Sequence, residues 1–175
     1  EVGTRAGIAM HQTVPDYHSS GASISLATAA LGARALGLDG RGVAEALGIA
    51  EYHGPRSQMM RVIDHPTMVK DGSGWGAMAG ISAAYLAANG FTGAPAITVK
   101  SPEVNDLWQD LGSNWRIFEQ YFKPHPVCRG AQPAVEAALA LRQKHGLDGS
   151  EISEIKITTF HEAFRLATVA PTCTE

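Results

Sequence analysis

Lysine, histidine, cysteine and arginine fall within seven positions of "YFKPHPVCRG", residues 121–130, and two prolines stiffen the chain between them. Such a set suits a metal site, a thiol nucleophile, an anion clamp or an ordinary loop. The rest of the chain narrows the choice. Cys128 and Cys173 lie far apart in no paired spacing, and the seven histidines show no ligand spacing, so no metal is expected. A nucleophilic Cys128 would need a partner base and an electropositive setting, and a small packed thiol is the simpler reading.

Two further motifs lack the context that would give them meaning. "GSGWGA", residues 72–77, has the spacing of a dinucleotide-binding turn, but no convincing strand precedes it and the next acidic residue is Glu103. A glycine-rich start to the following helix accounts for it. "HEAFR", residues 161–165, lacks the second histidine of a zinc protease motif, because Arg165 stands there. No cofactor is expected from either.

What remains is a pattern of cationic and imidazole groups where the chain turns into helices. His18 precedes a helix expected over 21–36, Lys70 precedes one over 75–89, and Lys123 to Arg129 precede one over 132–145. Helix N-termini carry unpaired N–H groups and partial positive charge, so these groups beside them would suit a polycarboxylate or phosphate. For any one of them a solvated side chain is the competing reading. Imidazole and a tuned lysine can also move protons, and proton abstraction next to a carboxylate needs a base, a cationic surrounding and an acid for the leaving group.

The elements that must position these groups are mostly helical. The chain has 175 residues, is 45% hydrophobic and rich in Ala and Gly, which suits helices packed through small faces. With 14 basic and 17 acidic residues and no run of either sign, neither nucleic acid nor a membrane surface is an expected partner. No apolar stretch reaches bilayer length, and a cytoplasmic location with reduced thiols is expected. Ser19 and Ser20 are candidate N-caps of the helix over 21–36, Gly37 ends it, and Val43, Leu47 and Ala50 mark the next helix. Ser101-Pro102-Glu103 starts a helix near 102–111. "NWRIFEQYFK" and "ISEIKITTF" alternate as strands do, with a helix from Pro133 between them. A mostly α fold is therefore expected, with a helical domain over 1–113 and the start of an α+β domain over 114–175. The absence of Met and of a cap at residue 1, and the lack of partners for "ISEIKITTF", lead us to expect a piece of a longer protein.

"DYHSSGASISLATAALGARALGLD", "MVKDGSGWGAMAGISAAYLAANGFTGAP", "YFKPHPVCRGAQPAVEAALAL" and "ISEIKITTF", in that order, resemble the MmgE/PrpD family. That family includes 2-methylcitrate dehydratase and cis-aconitate decarboxylase. The resemblance runs over nearly the whole chain and implies a helical domain followed by an α+β lid, an active site in the cleft between them, and no metal or organic cofactor. It also implies that His18 matches the family's active-site histidine and that Lys70 and Lys123 match its two active-site lysines. Cys128 falls where the decarboxylase has a histidine, and Gln132 falls where many members have a second one. Both departures argue against the decarboxylase.

The expected activity is a cofactor-independent lyase dehydrating a small di- or tricarboxylate of the 2-methylcitrate type, as in propionate metabolism. His18, Lys70 and Lys123 are the catalytic candidates. Arg129, His125, Cys128 and Gln132 are the substrate-binding candidates, with Arg129 as carboxylate clamp or local cap, and His125 as structural or pocket-shaping group. An isomerase, epimerase or decarboxylase on the same scaffold is the alternative enzyme. A non-catalytic carboxylate-binding oligomer is the alternative of another class, and a homodimer is expected, since Gly/Ala-rich helices suit such interfaces.

Overall fold

The computed structural model describes residues 1–13, 18–65, 67–69 and 71–166. The chain divides into two compact units, Glu1–Gln120 and Tyr121–Glu175. The first contains α1 (Val2–Thr13), α2 (Gly21–Ala35), α3 (Gly40–His53), α4 (Arg61–Asp64), α5 (Ser73–Ala88) and α6 (Ile97–Lys100), then 3-10 turns at Pro102–Leu107 and Arg116–Glu119. The second contains a 3-10 turn at Arg129–Ala131, α7 (Gln132–His145), a 3-10 turn at Gly149–Glu151 and α8 (His161–Phe164).

Alanine and glycine let the helices of the first unit approach closely. One cluster joins Ala29 and Ala33 of α2 to Ala46, Ile49 and Ala50 of α3 and Ala83 of α5. A second joins Ala6 and Met10 of α1 to Ala22 and Leu26 of α2 and Ala96 ahead of α6. With so few methyl groups between backbones, the crossing of α2 and α5 is set by glycine. A Cβ at Gly80 would strike the Ser25 carbonyl and the Thr28 hydroxyl and lie 2.9 Å from the Ala29 nitrogen.

Polar groups with no counterpart in the helical pattern hold the end of this unit. The Arg5 guanidinium is fully buried and donates to the Leu107 carbonyl, to Asp110 Oδ1 at 2.6 Å, to the Asn114 carbonyl at 2.6 Å and to Glu1 Oε1 at 2.6 Å. The Ile117 N–H donates to the other oxygen of Glu1 at 3.0 Å. Residues 114–120, which the sequence pattern assigns to the second unit, thus belong with the first. The same contact explains why the helix expected over 102–111 is a 3-10 turn ending at Leu107. The Leu107 carbonyl is taken by Arg5, and the Leu111 N–H bonds to Trp108 instead.

Arg5 also makes this unit sensitive to acid. Hydrogen bonding from Arg5, then from Asn114, holds the Asp110 carboxyl below its ordinary 3.8. Burial acts upward on Glu1, but the Arg5 guanidinium and the N–H groups of Ile117 and Arg116 together hold it below its ordinary 4.5. A depressed carboxyl stabilises the fold at pH values above its unfolded pKa, and that contribution is lost as pH falls through the folded value. Asp110→Asn is therefore expected to lower the thermal midpoint at pH 7, and by progressively less as pH drops below 3.8. A midpoint difference that is the same at pH 7 and in strong acid would refute this coupling.

In the second unit, α7 runs as expected, with Pro133 in its first turn. The expected strands differ. Residues 152–160 are extended along α7, where Ala134, Ala137, Leu141, Ile157 and Phe160 line a groove of about 480 Å³, but they enter no ladder. The other expected strand is turned into the Arg116–Glu119 3-10 helix, with Ile117 bonded to Glu1, so it offers no partner. Among the described residues the only bridge of β type joins His18 to Gln58. The fold is mostly helical.

Candidate functional site

The His18 backbone pairs antiparallel with Gln58, and the Ser19 N–H donates to the Ser57 carbonyl at 2.8 Å. This fixes the chain just ahead of α2. The His18 ring is buried and stacks on His11 from the last turn of α1, with centroids 5.5 Å apart. Ser19 is 4% exposed, and its hydroxyl has no hydrogen-bond partner among the described residues. A cavity of about 520 Å³ opens here, lined by Ser19, Ser57, Gln58, Met68, Asp71 and Trp75 among others.

The N-termini of α2 and α5 meet at this cavity. Gly21 and Gly76 permit it: a Cβ on Gly76 would lie 2.8 Å from the Gly21 Cα. Ser20 occupies the cap position of α2, yet its side chain does not cap the helix, contrary to the sequence expectation. It turns instead to Asp71, donating from Oγ to Oδ2 at 2.6 Å, while its N–H donates to Oδ1 at 3.0 Å. The Gly72 N–H donates to the same Oδ1 at 2.6 Å. Ser20 Oγ lies 2.9 Å from Ser73 Oγ. Since Ser20 spends its one O–H on Asp71, it is left to accept from the Ser73 hydroxyl.

This changes the electrostatic reading of the site. The sequence suggests that helix ends would receive a substrate carboxylate. A carboxylate of the protein itself, Asp71, already accepts the N–H of the cap residue of each helix, Ser20 and Gly72, so a negative charge stands at both helix starts before any ligand arrives. Lys70, the catalytic candidate next in sequence, lies outside the described residues. Its sequence neighbours Val69 and Asp71 both line the cavity. Asp71 was not singled out from the sequence. The available signal was an acidic residue two positions ahead of the α5 helix start, a favourable place for negative charge.

The remaining candidates lie in the second unit, around one turn. The exposed Lys123 donates from Nζ to the Val127 carbonyl at 3.3 Å. Gln132 is buried at the start of α7, and its amide nitrogen donates to the carbonyls of His125 and Val127, each at 2.9 Å. Its Oε1 accepts the His125 N–H at 3.3 Å. Both donors of Gln132 are thus committed to the turn that carries His125. The His125 ring pairs with Glu136 through Nε2 and Oε1 at 2.8 Å. The Arg129 guanidinium sits 5.3 Å from the centre of the Tyr121 ring, and Cys128 is an exposed free thiol.

Among the described residues, no three His, Cys, Asp or Glu side chains cluster so as to hold a metal ion. No described helix is long and apolar enough to cross a membrane. The family model for the MmgE/PrpD N-terminal domain matches residues 1–107, and that for the MmgE/PrpD C-terminal domain matches residues 125–172. Neither a curated protein nor a solved structure matches the chain.

Proposed function

The chain belongs to the MmgE/PrpD family, and on that premise we propose that it is a cofactor-independent lyase that dehydrates a small di- or tricarboxylate of the 2-methylcitrate kind. The single observation that carries this reading is the cavity where α2 and α5 begin, with Ser19 beside the buried His18 and the two sequence neighbours of Lys70 all placed around it. The chemistry requires removal of a proton from carbon next to a carboxylate. The freed electron pair then forms the double bond, and the hydroxyl group departs with a second proton as water. Cationic groups favour that step by holding the charge that gathers on the carboxylate.

In this reading Lys70, Lys123 and Arg129 hold carboxylates, and His18 either carries a proton or polarises a carboxylate. The stacking of His18 on His11 and its backbone pairing with Gln58 support a catalytic placement, since a base must be held rigidly to act at one carbon.

Mass spectrometry of the protein incubated with 2-methylcitrate, citrate and cis-aconitate tests the proposal. Loss of one water from a hydroxy acid is the expected result. Solvent deuterium entering recovered substrate without loss of water would replace dehydration by isomerisation or epimerisation, and release of carbon dioxide would replace it by decarboxylation. Thermal stabilisation by these acids with no product would replace catalysis by carboxylate binding.

A further inference from the structure

We infer that Asp71 is a positioning residue, a built-in carboxylate that latches the chain next to Lys70 onto the chain next to His18. This rests on the reading of His18 and Lys70 as groups that act on a carboxylate. One carboxylate accepts the Ser20 N–H at 3.0 Å, the Ser20 hydroxyl at 2.6 Å and the Gly72 N–H at 2.6 Å. Ser20 is two residues from His18, and Asp71 adjoins Lys70. The two segments are 51 residues apart in sequence, and the contact of Ser20 Oγ with Ser73 Oγ at 2.9 Å runs alongside these bonds. Gly21, Gly72 and Pro55 are packed closely around the latch, so its two sides have little freedom to drift while it is closed.

The position of Asp71 is otherwise paradoxical. It lines a cavity read as a carboxylate site, where a negative charge repels the ligand. A latch resolves this, because its hydrogen bonds fix the geometry on which the cationic groups depend. The two effects have opposite signs, and that makes them separable. Asp71→Asn and Asp71→Ala remove the same charge, but only asparagine keeps an oxygen for the N–H groups of Ser20 and Gly72.

Calorimetric titration with citrate as the probe distinguishes the cases. A latch predicts that Asp71→Asn binds citrate at least as tightly as the wild-type chain, whereas Asp71→Ala binds it about tenfold more weakly. Equal tightening in both variants would overturn the inference, because it would make Asp71 a bystander charge. Amide hydrogen exchange at Ser20 and Gly72 supplies a readout that needs no ligand. Both amides are expected to exchange about tenfold faster in Asp71→Ala, and added formate is expected to restore their protection by filling the vacated carboxylate position. Unchanged exchange in Asp71→Ala would sink the latch by itself. Failure of the wild-type chain to bind citrate or any related acid would instead count against the carboxylate-lyase reading, and the exchange result would still decide whether Asp71 closes the joint.

Discussion

Replacing Lys123 by alanine is expected to lower turnover of the carboxylic acid by about 10²–10⁴-fold, the range for loss of one positioned catalytic group. The thermal midpoint should stay within a few degrees. Lys123 is exposed, and among the described residues its ammonium makes one hydrogen bond, to the Val127 carbonyl, so little of the fold depends on it. Gln132 holds that carbonyl independently, and the turn should persist without the lysine. Lys123→Arg is not expected to restore activity, since a planar guanidinium does not reproduce a compact ammonium. Product formation followed by mass spectrometry checks both variants. Undiminished turnover in Lys123→Ala would remove the residue from the mechanism.

The largest effect on stability is expected at Gly80. Valine there places a Cβ against the Ser25 carbonyl and the Ala29 nitrogen, both of them backbone atoms of α2 that cannot rotate away. Overpacking of this kind costs about 3 kcal/mol. For a chain of this size that corresponds to roughly 10 °C in the thermal midpoint. Gly74 is a control in the same helix, because a Cβ there meets nothing within 4 Å. Gly74→Ala should be neutral or slightly stabilising, by about 0.5–1 kcal/mol if helix propensity alone acts. Thermal melts of the two variants side by side decide the matter. Equal midpoints would mean that α2 and α5 are not in the tight contact described.

The contrast between these two glycines also shows what a sequence can reveal. The bounds of α2, α3, α5 and α7 follow from apolar spacing and from glycines at the ends, because both signals are local. Which glycine in α5 faces a neighbour is not local, and α5 hides it further by being apolar on all sides. Gly76, Gly80, Ala83 and Ala84 point inward, while Trp75, Met78 and Tyr85 are exposed. His18 draws notice as a candidate because it stands just ahead of a recognisable helix. Asp71 escaped attention because its meaning comes from Ser20, 51 residues earlier. The strand character of 114–123 was read from alternation alone, and bonds from Glu1 and Arg5 at the far end of the chain override it.

The bonds of Arg5 have a kinetic side. They join residue 5 to positions 102, 105 and 109 residues further along, so closing them requires most of the first unit to be already in place. Contacts of such long range form after the local helical contacts that pull the chain together. Arg5→Met should consequently leave the refolding rate nearly unchanged and act on the unfolding limb of the chevron. In the native protein, then, the buried guanidinium serves as a fastener put on last, one that governs how long the folded chain stays closed rather than how quickly it gets there.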